Sequence, residues 1–118
     1  MNNDNELLKL AAKAVGIELH HWCGDTFIRV SEYVDDAGGY WNPLTDDGDA
    51  LRLAVKLGIE PRQATNMASA LFPIESPSRF AVCNENHGDD PYAATRRCIV
   101  RAAAAIGESL DGNKDSRP

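Results

Sequence analysis

The sequence predicts an α+β fold in a single domain over residues 1–110, with elements in the order αββαββα and an antiparallel sheet packed with helices. Three observations lead there. Segments near both ends and at the middle of the chain keep a helical apolar period behind recognisable caps. Between the first two of them the period changes to two. A chain of 118 residues with 43% apolar content is large enough for one core and too small for a second.

The first helix is expected from Asn3, whose side chain can cap while Glu6 reaches back from three residues on. Leu7, Leu8, Ala11, Ala14 and Val15 follow at helical spacing, and Gly16 supplies the left-handed residue that ends such helices. In "IELHHW", residues 17–22, Ile17, Leu19 and His21 alternate with Glu18, His20 and Trp22. The turn residues Cys23-Gly24-Asp25 and then "TFIRVSEYV" complete a predicted β-hairpin. "DDAGG", residues 35–39, reads as a polar turn, and Tyr40 and Trp41 lead through Asn42-Pro43 toward a second helix.

That second helix begins in "LTDDGDALRLAVKLGI", where three aspartates invite an ion site. Capping accounts for all three. Asp46 is expected as N-cap, Asp49 at the third helical position can bond back to it, and Asp47 adds negative charge at the positive end of the helix dipole. A calcium loop built on Gly48 would need ligands at Pro43 and Ala54, which have none to offer. Leu51, Ala54, Val55 and Gly58 are expected on the buried face, widened by Leu53 and Leu57, with Arg52 and Lys56 toward water.

Residues 59–78 are punctuated by prolines 61, 73 and 77, and "ATNMASALF" is expected there as an irregular strand. "RFAVCNE", residues 79–85, alternates and reads as a further strand, and "NHGDD" as a loop. In the last helix Asp90 is the N-cap, Pro91 the first helical residue, and Ile99, Ala102, Ala103, Ile106 and Leu110 trace one face whose alanines imply close packing. The polar segment 111–118 is expected to be a disordered tail.

The net charge of −6 disfavours general nucleic-acid binding, which needs a basic face, and leaves basic proteins as possible partners. Three widely spaced cysteines, an odd number, fit reduced thiols and a cytoplasmic location better than a disulfide framework. "MNNDNELLKL" has no signal-peptide character, and the longest unbroken apolar run, Ala102–Ile106, is too short for a membrane span.

The blocks "YWNPLTDDGDALRLAVKLGI" and "GDDPYAATRRCIVRAAAAIGESL", with the opening "ELLKLAAKAVGI", resemble uncharacterised small proteins of tailed phages and prophages grouped with the phage α-β-α sandwich domain. The resemblance implies a phage or prophage origin, a bacterial host cytoplasm and a compact α+β domain. It carries no catalytic residue, since each block is a helix with its cap.

Three sets of residues remain as candidates for chemistry. His21 and Cys23 on the hairpin, with Cys83 and His87 near the later strand, supply donor types that suit tetrahedral zinc. Neither pair has the usual knuckle spacing, so a strand histidine and buried thiols are the commoner outcome, and no metal or cofactor is expected. A nucleophilic Cys23 beside His20 and His21 lacks a third, orienting group. Cys98, in a packed helix, reads as a small core residue.

The second set is Arg96, Arg97 and Arg101, within a stretch, residues 91–107, that holds three arginines and no acid. Arg97 and Arg101 stand at i, i+4, where a fork could hold an anionic ligand or nucleotide, although pairing with acids of other elements is the more frequent use of such charges. The third is Glu32, Asp35 and Asp36, which have no cap to make and form a candidate acidic surface for the basic partner. No catalytic residue is identified, and the expectation is a non-enzymatic accessory protein that binds and modulates a host protein, with a counter-defence role as one form of this. The alternatives are an anion binder on the arginines and an enzyme centred on cysteine and histidine.

Overall fold

The computed structural model describes residues 3–23, 26–30, 40–74 and 76–115. The chain is an α+β single domain, but its order is richer in strands than expected. Helix α1 (Asn3–Val15) is followed by strands β1 (Glu18–Cys23), β2 (Thr26–Val30) and β3 (Tyr40–Trp41), helix α2 (Asp47–Leu57), strands β4 (Glu60–Gln63), β5 (Met67–Ile74) and β6 (Ser76–Asn86), and helix α3 (Pro91–Asp115). Two three-stranded antiparallel sheets result, in the orders β1-β2-β3 and β4-β5-β6.

The order αββαββα is therefore corrected at two places. Tyr40 and Trp41, expected as an approach to α2, pair with Ile28 and Phe27 as a short third strand. The proline-punctuated segment holds β4 and all of β5, because Pro61 sits in an edge strand and Pro73 beside a register shift, two settings in which a strand tolerates proline. Backbone helix α3 runs past Leu110 to Asp115, and residues 116–118 of the expected tail lie outside the described residues.

Both earlier helices end in the same device. Gly16 and Gly58 have φ of +78° and +71°. The Ile17 N–H donates to Ala12 O at 2.9 Å and the Ile59 N–H to Ala54 O at 2.9 Å, the long bond of a Schellman cap in each case. Gly58 thus terminates α2 instead of joining its apolar face.

The phase of that face also differs. Ala50, Leu53 and Ala54 are buried with Asp49, whereas Leu51 and Val55 are exposed. The helix carries apolar residues on two faces, and the buried one is fixed by where Asp49 is tied.

Helix α3 lies at the centre. Cys98, Ile99, Val100, Ala102, Ala103 and Ala104 are buried around much of its girth, as expected of a helix with neighbours on several sides. Among single elements it packs most extensively on α1, while the strands of sheet β4-β5-β6 together cover it at least as widely and α2 lies against a further side. The alanines permit this closeness. A Cβ built on Gly107 would overlap the carbonyl oxygen of Leu10, so the backbones of α1 and α3 meet with no side chain between them. Ile106 is half-buried and Leu110 exposed, which shortens the buried stripe expected for α3 at its C-terminal end.

Candidate functional site

The start of α2 is tied down by a set of hydrogen bonds. Asp46 has extended backbone, φ −119° and ψ 119°, and its Oδ2 accepts the Asp49 N–H at 2.8 Å, as an N-cap should. Asp49 does not complete the expected box with Asp46. Its Oδ2 accepts instead from the Asn42 N–H at 2.9 Å, seven residues back, and its Oδ1 from Arg52 at 3.0 Å. Asn42 in turn accepts the Leu44 N–H on its side-chain oxygen and the Asp46 N–H on its carbonyl. With Asn42 and Asp49 both buried, these bonds anchor the approach to α2 and set its rotation.

The three arginines of α3 each reach a different element. Arg96 donates to Leu44 O at 2.8 Å and pairs with Asp47 at 2.6 Å, which locks α3 to the first turn of α2. Arg97 pairs with Asp4 of α1 at 2.9 Å. Arg101 pairs with Glu85 of β6 at 2.6 Å and donates to Asn84 O at 3.0 Å, and the Glu85 bond raises its already high pKa. Arg97 and Arg101 reach different neighbours of the helix, and an anion arriving at any of the three would have to compete with a carboxylate already in place.

Beside the Arg96–Asp47 pair, α2, β4 and the first turns of α3 enclose an open cleft of about 480 Å³, within the usual size range of ligand sites. Ala50, Leu51 and Ile99 contribute apolar wall, and Pro61, Pro91 and Tyr92 close the other side. Two of the large apolar side chains there face water: Leu51 is 60% and Tyr92 72% exposed. A chain of polar bonds runs along one part of the cleft through Gln63 and Thr95. The His87 Nε2 and Gln63 Oε1 are 2.8 Å apart, Gln63 Nε2 donates to Thr95 Oγ1 at 2.6 Å, and the Thr95 hydroxyl donates to Pro91 O at 2.8 Å. The start of α3 is fixed by Asp90, whose Oδ1 accepts the N–H groups of Tyr92 and Ala93, the cap expected from Asp-Pro.

Sequence reasoning missed this cleft because it placed Leu51 on the buried face of α2 and gave Tyr92 no role. The signal was present in the pair Leu51 and Val55, an i, i+4 apolar stripe beside Arg52 and Lys56, in a helix already supplied with a core face by Ala50, Leu53, Ala54 and Leu57.

Cys98 of α3 and Cys83 of β6 lie where α3 packs on the second sheet. The Cys98 thiol is fully buried and donates to Ala68 O at 3.2 Å, and burial, helped by the Glu85 charge, pushes its pKa up to about 11. Cys83 is half-buried and its pKa is also raised, mainly by burial. Neither is poised as a thiolate nucleophile.

His87 spends its Nε2 on Gln63, and among the described residues no group of three or more histidines, cysteines or carboxylates is arranged to hold a metal ion. The backbone of His21 and Cys23 lies in β1, but their side chains, like Glu32, Asp35 and Asp36, fall outside the described residues. Among the described residues, no helix is long and apolar enough to cross a membrane. Compared with known protein families, curated proteins and solved structures, the chain matches none.

Proposed function

We propose that the protein is a phage or prophage accessory protein without catalytic chemistry of its own, which binds and modulates a host protein in the bacterial cytoplasm, counter-defence being one form of this. The observation that carries the reading is the open apolar cleft rimmed by exposed Leu51 and Tyr92. A leucine and a tyrosine held out into water beside a preformed hollow suit a protein partner, since aromatic anchors in apolar pockets supply most of the binding energy in such contacts. The −6 charge favours a basic partner, with Glu32, Asp35 and Asp36 as steering charges. The resemblance of the two capped helix blocks to small phage proteins supplies the biological setting.

The test is affinity purification from infected or lysogenic cells, followed by binding kinetics with the recovered partner. Leu51→Glu with Tyr92→Ala is expected to speed dissociation strongly. Replacing Glu32, Asp35 and Asp36 by lysine is expected to slow association and flatten its salt dependence. A partner that binds both variants with unchanged rates would remove the proposal.

A further inference from the structure

The cleft continues onto α2 as a straight stripe. Asp47, Leu51 and Val55 stand at i, i+4 and i+8 and all three are exposed, Leu51 at 60% and Val55 at 73%. Four residues of helix advance about 6 Å, so the stripe sets one carboxylate and two apolar side chains along about two turns. Ala50, on one side of the stripe, lines the cleft. Successive residues turn by about 100°, which carries Arg52 and Lys56 to the other side. Arg52 is in any case spent on Asp49.

The charge left over on the cleft side is negative. The Asp47 side chain gives one oxygen to Arg96 and stays 72% exposed, while Arg96 is largely covered and is held by the Leu44 carbonyl as well. Glu60 and Arg62 of β4 pair with each other. Asp89 and Asp90 are exposed next to Pro91 and Tyr92 of the cleft wall, and among the described residues no cation pairs with either. β4, which supplies Pro61 and Gln63 to the cleft, is a poor edge for an added strand. The Ala64 N–H donates toward β5, to Met67 O at 2.8 Å, so by alternation the outward backbone groups are those of residues 61 and 63, and Pro61 has no N–H.

We propose that the cleft and the stripe dock a basic amphipathic helix from a protein partner. The helix lies along α2, with its apolar residues on Leu51, Val55 and Tyr92 and a lysine or arginine at Asp47. Side chains four apart form the ridge that one helix offers to the grooves of another, and Leu51 and Val55 supply such a ridge with no neighbour on it. The occupant is basic because the carboxylates at the cleft are not balanced by cations, and complementary charge sets which partners are accepted. It is helical because the ridge suits a helix and the strand edge beside it offers a single outward N–H. The inference rests on the reading of the cleft as a protein-binding site and adds Asp47 and Val55 to it.

Fluorescence anisotropy of a labelled peptide titrated with the full chain tests this. The probe is a lysine–leucine peptide of about fifteen residues, long enough to form a helix, with its leucines at helical spacing. It is expected to bind saturably, and more weakly as salt rises. A scrambled peptide of the same composition, and the same pattern with glutamate in place of lysine, are each expected to bind at least about tenfold more weakly. Leu51→Ser with Val55→Ser should weaken binding of the patterned peptide by a similar factor, and Asp47→Asn should flatten its salt dependence. Phe80→Ser, at an exposed position on β6, should change nothing. Circular dichroism and thermal melting check that the variants stay folded. Equal binding of the scrambled peptide, or undiminished binding to the Leu51→Ser, Val55→Ser variant, would overturn the inference. A host partner weakened by Leu51→Glu with Tyr92→Ala but indifferent to Val55→Ser and Asp47→Asn would refute the helix and leave the cleft reading standing. If the patterned peptide binds as expected and the host partner ignores every cleft variant, the docking surface stands and the proposed function falls.

Discussion

Gly107 of α3 lies so close to Leu10 of α1 that the position of its missing Cβ falls against the Leu10 carbonyl group, 2.9 Å from the carbonyl carbon. The obstacle is backbone on both sides, and no rotamer change relieves it. Gly107→Ala is expected to force the helices apart and cost about 1–3 kcal/mol, the usual range for overpacking, in spite of the better helix propensity of alanine. Urea denaturation checks this, and a variant as stable as the parent would mean that the two helices slide without cost.

The capping carboxylates of α2 should separate by burial. Asp46→Ala removes one cap bond and is expected to cost about 0.5–2 kcal/mol. Asp49→Ala leaves the buried Asn42 N–H without its acceptor and removes the Arg52 pair, so it should cost at least as much, about 1–3 kcal/mol. Calcium or magnesium should raise the melting temperature of neither parent nor variant. A metal-dependent rise in the parent that Asp46→Ala abolishes would make these residues an ion site.

Cys98 makes stability fall at alkaline pH. The thiol keeps its proton to about pH 11 in the folded chain, against a usual value of 9.0, so the unfolded chain loses that proton first. The thiol's contribution is whole below pH 9, declines as pH rises toward 11, and amounts to at most about 3 kcal/mol. Unfolding free energies measured across this window should drop more steeply for the parent than for Cys98→Ala. Parallel curves for the two proteins would contradict the buried, protonated thiol.

The ion pairs of α3 differ in what surrounds them. The Arg96 side chain is 17% exposed and has two partners, Asp47 and the Leu44 carbonyl, whereas those of Arg97 and Arg101 are more open. Arg96→Met is therefore expected to lower the melting temperature most and Arg97→Met least, exposed pairs being worth about 0–1 kcal/mol. Melting curves giving the reverse order would show that the contact between α2 and α3 does not depend on Arg96.

Much of the architecture could be read from residue types whose effect is local. Asp46, Asp90, Gly16 and Pro91 act within one turn of where they stand, and the helix starts and stops they imply appear in the structure. The phase of α2 was not readable in this way, because Leu51 and Val55 are as apolar as Leu53 and Ala54. What decides between the faces is the bond from Asn42 to Asp49, a tertiary relation. The same holds for β3, two residues long and defined by its partner strand, and for β4, where four exposed residues give no alternation to detect. The arginines were visible as charge, but whether they converge or diverge depends on where α1, α2 and β6 stand around α3. The cleft was hinted at in the sequence only by the Leu51–Val55 stripe, since its walls come from three elements, Leu51 read as core and Tyr92 had no reading at all.

The central place of α3 also bears on how the chain comes to be folded. Its largest contact with any one element is with α1, and the Asp4–Arg97 pair joins residues separated by most of the chain. The contacts that complete the core are thus non-local, and loops spanning nearly the whole sequence must close before burial repays their entropy, which slows folding. During synthesis α1, α2 and β4-β5-β6 leave the ribosome before the helix that will cover them. In that interval the apolar faces of Leu8, Ala11 and Phe72 have no final partner. The interval before α3 docks is when this chain is most exposed to aggregation and to proteases, and a destabilised contact between Gly107 and Leu10 would lengthen it.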